Sequence, residues 1–387
     1  MTRPRLRAAF MLLAFAACGA CAARPAGSAG KPTAQTAHTT QTTQTAQTTQ
    51  ADQTVQTTRT AHTLFYGQRE DVRQFIGEMV ERHGFAAHDL RKLFARVRYQ
   101  PAVIRAMTPP PEAPVKSWQA YRAMFVSRER IEAGARFRER HGAALARAAE
   151  EFGVPAPVIV AILGVETVYG RNMGTHRVID ALATLAFDFP RRSEFFRSEL
   201  ESFLLYAREN GIDALAAQGS YAGAFGIPQF MPGSYRRFAV DYDGDGRRDL
   251  NSSPPDAIGS VGNFLRAHGW EAGQPIAAPA AVSGDAFRLL INAGIKPVYR
   301  VADLSAYGVQ LGGGAGTGSG ARTTTADAAE ALPPEAGCAL VELETPGQAP
   351  EYWVGLQNFY ALTRYNRSSF YAIAVLELSR AIAQASP

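Results

Sequence analysis

Between Phe152 and Glu166 the chain carries no charged residue. The middle of that interval reads Val158-Ile159-Val160-Ala161-Ile162-Leu163-Gly164-Val165, apolar on every side. Such a segment has no face to give to water, so the body has to be built around it. Pro155 and Pro157 suit a first helical turn, and Gly170 is placed to end a helix. A buried parallel strand competes for the bare Val/Ile run, but length and prolines favour a central helix. Glu166 stands at its C-terminal end, with Leu163 and Ile162 three and four residues before it. Burying an ionised carboxylate against such neighbours is costly unless it is paired. A raised pKa, which keeps the proton near neutral pH, is the cheaper outcome. A general acid for glycosidic cleavage needs that property. The plainer alternative is a terminal Glu turned to solvent, or paired with Arg171 or Arg177.

The surroundings read as mostly helical. Val72, Phe75, Ile76, Met79 and Val80 repeat at the spacing of an amphipathic helix, and His88-Asp89 opens a short one. After Pro109-Pro110-Pro111 the helical period resumes over Trp118–Leu145, with Tyr121, Met124, Phe125 and Phe137. Further helices are expected at Val178–Leu185, at Glu194–Glu209 with Phe195, Leu200, Phe203, Leu204 and Ala207 inward, and at Asp256–His268. From Gln274 the character changes: short runs of β type (Val298–Val301, Ala339–Leu343) alternate with Gly/Pro segments, and Gly312–Gly320 is a glycine-rich loop. Tyr352–Ile382 returns to aromatic-rich helix. The reading is a mainly α (α+β) protein. It has a helical domain over 64–150, a core over 151–273, a small β-containing inserted domain over 274–345 and a C-terminal helical segment over 346–387.

The N-terminus is a different kind of chain. Arg3, Arg5 and Arg7 precede the apolar run Ala8–Ala17, the order of a signal peptide over residues 1–17. Phe15-Ala16-Ala17-Cys18-Gly19 resembles a bacterial lipoprotein signal, which makes Cys18 the lipidation candidate and Cys21 a second one; an ordinary signal cut after an Ala is the alternative. In Pro32–Thr63, Thr and Gln supply 21 of 32 residues, which leaves too little apolar area to offset ordering entropy. Residues 18–63 are expected to be a flexible tether. Three cysteines, two of them in the leader, exclude a disulfide scaffold. Cys338 is expected to be a small core residue. The formal charge of +5 includes the three leader arginines, so the surplus left is too weak to argue for nucleic acid.

A second constellation lies at Gln218–Tyr235. Gly219, Gly223, Gly226 and Pro228 are interleaved with Ser220, Tyr221, Gln229 and Tyr235. This composition forbids a regular helix or strand and sets backbone amides, an amide side chain and aromatic faces along a groove. Sugars are bound by that mixture; a compact structural loop is the alternative.

The chain resembles the membrane-bound B family of lytic murein transglycosylases over roughly Leu64–Ala383. The resemblance rests on Gly164-Val165-Glu166-Thr167, Tyr169-Gly170-Arg171, Asp180-Ala181-Leu182-Ala183-Thr184-Leu185 and Phe189-Pro190-Arg191-Arg192. It continues through Gly219-Ser220-Tyr221-Ala222-Gly223-Ala224, Gln229-Phe230-Met231-Pro232, Asp256-Ala257-Ile258-Gly259-Ser260-Val261, Asn358-Phe359-Tyr360 and Thr363-Arg364-Tyr365-Asn366. It implies a lysozyme-like helical core and cleavage of peptidoglycan glycan strands. It implies Glu166 as catalytic acid and Tyr121, Ser220, Gln229, Tyr365, Asn366 and Tyr371 as groove residues. Where the family usually has Tyr, this chain has Phe264, which puts a hydroxyl contact in doubt. Hydrolysis of the lysozyme type normally uses two carboxylates, and the matching blocks offer no clear second one. The resemblance implies that Glu166 alone protonates the bridging oxygen and then takes a proton from the muramic C6 hydroxyl, closing a 1,6-anhydro ring. A hydrolytic muramidase and a non-catalytic peptidoglycan-binding lipoprotein are the rival readings. A periplasmic enzyme anchored to the outer membrane would fit the lipid and tether, with other cell-wall enzymes as candidate partners.

Asp241-Tyr242-Asp243-Gly244-Asp245-Gly246 matches the opening of a calcium loop, with Arg247 offering a backbone oxygen. Its twelfth position is Ser252, which lacks the usual carboxylate; the resemblance points to Asp256, with Asp249 as a rival. The expected ion is a structural Ca²⁺, with no cofactor for catalysis. An acidic turn is the alternative.

Overall fold

The computed structural model describes residues 66–108, 115–312 and 332–385. The leader, Cys18, Cys21, the Thr/Gln-rich stretch, the triple proline and most of the glycine-rich loop lie outside the described residues. The chain divides into two compact units between Tyr99 and Gln100. The boundaries expected at 150, 273 and 345 all fall inside the second.

In the first unit, α1 (Glu70–His83) buries Val72, Phe75, Ile76 and Met79, and α2 (Ala87–Phe94) buries Leu90 and Phe94. Phe75 and Phe94 meet edge to face at 6.0 Å.

The second unit opens with α3 (Pro101–Met107). The period expected to run on from Trp118 is cut into α4 (Trp118–Phe125), α5 (Arg128–Arg140) and α6 (Gly142–Phe152). Ser127 makes the first break: its hydroxyl accepts from the Arg130 N–H and starts a new helix. Met124, expected on the inner face, is exposed. The apolar run forms α7 (Ala156–Thr167), and every residue from Val158 to Val165 is buried. Its end comes earlier than Gly170: Val168 and Tyr169 themselves take left-handed φ of 52° and 61°.

After β1 (His176–Arg177) come α8 (Val178–Asp188) and α9 (Ser193–Glu209), which pack on each other. Phe196 is the buried member of the α9 pair, while Phe195, expected inward, is exposed at 36%. β2 (Gln218–Gly219) pairs antiparallel with β1. The Gly/Pro segment after it is irregular, as expected, up to Pro232. There a proline in the first turn starts α10 (Pro232–Phe238) instead. α11 (Pro254–Ala267) packs on α6 and α7.

The β-containing part holds β3 (Ala277–Val282), α12 (Phe287–Asn292), β4 (Tyr299–Arg300), β5 (Val309–Leu311), β6 (Gly337–Leu343) and β7 (Glu351–Gly355). The five strands form one antiparallel sheet in the order β4-β6-β7-β3-β5. β7 overturns the reading of Tyr352 as the start of a helix: Tyr352, Trp353 and Val354 are strand formers and pair on both sides. Cys338 is fully buried in this sheet's core, and burial pushes its thiol up to about 11. The chain ends with α13 (Gln357–Tyr365) and α14 (Ser369–Gln384), the latter packed against α7. Among the described residues no single helix is long and apolar enough to cross a membrane.

Candidate active site

Glu166 occupies the last turn of α7 and is only partly exposed. Its Oε1 accepts a hydrogen bond from the Tyr371 hydroxyl at 2.9 Å. Tyr371 lies in the first turn of α14, and that turn is fixed by Ser368, whose hydroxyl accepts from the Tyr371 N–H at 3.3 Å. The cap of one helix thus aims a phenol at the end of another. Burial pushes the Glu166 carboxyl up to about 7, with the Tyr371 hydrogen bond pulling the other way. Neither cause is a second carboxylate. The ion pairs that sequence left open do not form with Glu166: Arg171 pairs with Glu129 at 3.5 Å and Arg177 with Asp180 at 2.7 Å.

Three tyrosines feel the Glu166 charge. Burial is the larger cause of the raised pKa at Tyr121, Tyr365 and Tyr371, and the charge of Glu166 adds to it in each. Tyr365 and Tyr371 stack nearly parallel at 6.2 Å, and the Tyr365 hydroxyl donates to the Pro228 carbonyl at 2.6 Å. Tyr121 comes from α4, packed among Trp118, Phe125 and Phe370. Its hydroxyl is buried with no hydrogen-bond partner. Such a group costs free energy until something supplies a partner.

The Gly/Pro segment folds over the end of α7. The Thr167 hydroxyl donates to the Ile227 carbonyl at 2.7 Å and accepts from the Gly170 N–H at 2.9 Å. Ser220 is buried, and its hydroxyl accepts from the Ala224 N–H at 3.1 Å. At Gly223 φ is +84°, and a Cβ there would stand 2.4 Å from Leu182, so only glycine fits this turn. Gln229 is 8% exposed and left-handed at φ 52°. Its amide N–H₂ donates to the carbonyls of Met173 and Gly226, while its Oε1 has no partner. A buried acceptor and a buried hydroxyl are therefore both free for a polar ligand. Asn366 is half-buried where α13 ends, and its carbonyl accepts from the Ser368 N–H at 2.7 Å. Phe264 is buried against Phe230, Phe238, His268 and Tyr365, so its ring packs into the core without a hydroxyl to offer.

Sequence reading missed Trp118 and Phe370, although Trp118, Tyr121 and Phe125 repeat at helical spacing. It also missed Arg130, which nothing in the sequence separates from the other arginines of α5.

In the acidic loop, Asp241, Asp243 and Asp256 bring one carboxylate oxygen each within 4.8 Å of one another. Asp256 is 1% exposed and accepts the N–H groups of Tyr242, Asp243 and Asp249. Asp245 is not in this group; its carboxylate accepts from the Arg247 N–H at 2.8 Å. Asp249 turns to its own neighbours, Asn251 and Ser252.

Residues 67–380 match the family described as the transglycosylase SLT domain. The membrane-bound lytic murein transglycosylase B of Escherichia coli K12 is 39% identical over 328 residues, which is 83% of this chain and 84% of that protein. The crystal structure of the catenated lytic transglycosylase SltB1 from Pseudomonas aeruginosa aligns with a TM-score of 0.74 at 42% identity, covering 83% of this chain and all of that one. The Escherichia coli lytic transglycosylase Slt35, solved in complex with calcium, aligns with a TM-score of 0.69 at 38% identity, covering 82% of this chain and 94% of that one. The chain belongs to the transglycosylase SLT domain family and is a lytic transglycosylase.

Proposed function

We propose that the enzyme cleaves the bond between N-acetylmuramic acid and N-acetylglucosamine in peptidoglycan, with Glu166 as its only general acid and base. The observation that carries this is the Glu166 carboxyl itself, raised to about 7 by burial and held by the Tyr371 hydroxyl. A carboxyl in that state is still protonated in about half of the molecules at pH 7, and the protonated form gives its proton to the glycosidic oxygen as that bond breaks. The substrate's acetamido group balances the positive charge that develops on the muramic C1. Glu166, now ionised, takes the proton of the muramic C6 hydroxyl, whose oxygen bonds to C1 and closes the 1,6-anhydro ring. The proton count balances, and water is not consumed. The partnerless Tyr121 hydroxyl and Gln229 Oε1, with the buried Ser220, offer polar contacts to the sugar. The stacked rings of Tyr365 and Tyr371, with Asn366 next to Tyr365 in the chain, offer apolar and polar contacts of the kind a sugar uses.

The acidic loop fits a structural calcium ion. Asp241, Asp243 and Asp256 supply hard oxygen donors from three converging carboxylates. Burial raises the Asp256 carboxyl, and the charge of Asp243 adds to it, which a cation would relieve. Asp245 and the Arg247 carbonyl remain outer candidates. The ion would join the loop to the start of α11. Anchoring through Cys18 in the outer membrane, facing periplasmic murein, agrees with the membrane-bound relative.

Glu166→Gln tests the central reading. The amide keeps volume and shape but moves no proton, so muropeptide release from purified sacculi should fall by about 10²–10⁴-fold with melting unchanged near pH 4. Release above a tenth of wild type would remove Glu166 from its role.

A further inference from the structure

Arg130 grips the chain on both sides of Glu166. Its Nε donates to the Gly164 carbonyl at 2.8 Å, two residues before the acid. Its own carbonyl accepts from the Tyr169 hydroxyl at 2.9 Å, three residues after it. A second guanidinium nitrogen, Nη1, donates to the Met124 carbonyl, and the Phe125 ring lies 5.2 Å from the guanidinium carbon. Among the described residues Arg130 is the only buried arginine. A buried guanidinium is expensive unless its donors are used, and here one is used on the Gly164 carbonyl beside the acid and one on the Met124 carbonyl of α4.

Tyr169 is held as firmly. Its backbone is left-handed, and so is that of Val168, a β-branched residue for which this region is a true outlier. The Tyr169 N–H donates to the Leu163 carbonyl at 3.1 Å, and the Val168 N–H to Gly164 at 3.2 Å. The phenol passes between two helices at glycines. A Cβ at Gly134 on α5, or at Gly164 on α7, would come within 2.5 Å of its oxygen. The ring also stacks on Phe137 at 5.4 Å. Two strained residues, two glycines and a buried arginine therefore converge on the one turn that carries Glu166. Neither Arg130 nor Tyr169 bonds to Glu166.

We propose that Arg130 and Tyr169 are positioning residues that lock the left-handed turn after Glu166, and so fix where its carboxyl meets the glycosidic oxygen. A cation at the C-terminal end of a helix also complements its dipole, which strengthens the grip. A small displacement of a catalytic group lowers the chemical step far more than it lowers binding. The proposal rests on Glu166 being the acid.

The test uses Tyr169→Phe, which removes one hydroxyl and keeps the ring, and Arg130→Met, which removes the guanidinium bonds to the Gly164 and Met124 carbonyls and leaves the backbone carbonyl that Tyr169 uses. Trp270→Phe is the control, since it deletes a part-buried hydrogen bond to the Gly153 carbonyl, before the other end of α7. Turnover is measured on a soluble glycan fragment well below melting, across pH. Tyr169→Phe should lower kcat about tenfold and Arg130→Met about a hundredfold. KM should stay within about twofold, and the alkaline limb of kcat should move. Trp270→Phe should lower Tm while leaving kcat and the pH profile alone. If Arg130→Met does not fold, Tyr169→Phe alone decides. Wild-type kcat and pH profile in Tyr169→Phe, whatever its Tm, would overturn the proposal. Glu166→Gln is run beside them: if it stays active, the reading of the acid fails; if it is dead while Tyr169→Phe behaves as wild type, only the positioning role fails.

Discussion

The end of α7 and the loop Asp241–Gly246 both depend on carboxylates, yet they are built in opposite ways. At the end of α7 a single acid is surrounded by parts distant in sequence: Tyr371 from α14, Tyr121 from α4, Tyr365 from α13. Burial dominates there and raises the carboxyl's affinity for its proton. In the loop, Asp241, Asp243 and Asp245 are exposed and accept mostly from backbone N–H groups two to five residues on. Charge is stabilised there by local amides, while Asp256 arriving from α11 adds a third converging carboxylate whose repulsion a cation would relieve. On the proposed reading, one arrangement serves as a proton donor and the other as a cation seat. The difference is decided by solvent and by which groups hydrogen-bond the carboxylates, rather than by the carboxylates themselves.

The largest expected effect comes from titrating the buried side of this contrast. If Glu166 acts first as an acid, as proposed, kcat/KM should fall about tenfold per pH unit above about 7. Tyr371→Phe removes the hydrogen bond that lowers this pKa, so the limb should move to higher pH while the maximal rate drops. A limb that moved downward would reverse the assigned role of Tyr371.

The same shift has a stability consequence of opposite sign to that of most surface acids. The folded carboxyl binds its proton more tightly than the unfolded one. Its contribution is fully present below about 4.5 and is lost as pH rises toward about 7. Glu166→Gln removes that loss, so it should be more stable than wild type at pH 8 by up to about 3 kcal/mol and no more stable at pH 4. Denaturant unfolding at the two pH values measures it. Equal stability at both would mean that the carboxyl is not held in its protonated form by burial.

On the exposed side, calcium should raise Tm, by an amount equivalent to about 2.7 kcal/mol at a hundredfold excess over Kd. Magnesium should do less, because it demands a tighter octahedron. Asp256→Ala or Asp243→Asn should remove most of the shift, and Asp245→Asn less, since its carboxylate stands outside the converging trio. Equal calcium shifts in wild type and all three variants would leave the loop an acidic turn.

Legibility in sequence follows the same division. The acidic loop could be read from spacing because most of its bonds are local. α7 could be read because eight consecutive apolar residues admit few alternatives, and Glu166 stood out as the first charge beyond them. What surrounds Glu166 was reached only through the family resemblance, because Tyr371 is 205 residues away and no local pattern links them. The end of α7 was misplaced for a physical reason. Gly170 is the residue that tolerates left-handed backbone, yet tertiary contacts at Tyr169 force Val168 and Tyr169 into it first. Phe195 and Phe196 are adjacent aromatics on one helix, and periodicity alone did not decide which faces inward. The strand at Tyr352 was hidden because aromatic residues serve helix and strand cores alike, and its partners Ala278–Ala280 and Leu340–Glu342 lie in other segments.

The central claim is that one carboxyl does both proton transfers and that water takes no part. The direct measurement is digestion of purified sacculi in oxygen-18-enriched water, with mass spectrometry of the released disaccharide peptides. The account predicts 1,6-anhydro ends, lighter than the reducing-end fragments by one water, with no heavy oxygen incorporated. Reducing ends carrying heavy oxygen would show that water attacks the muramic carbon, and would contradict it.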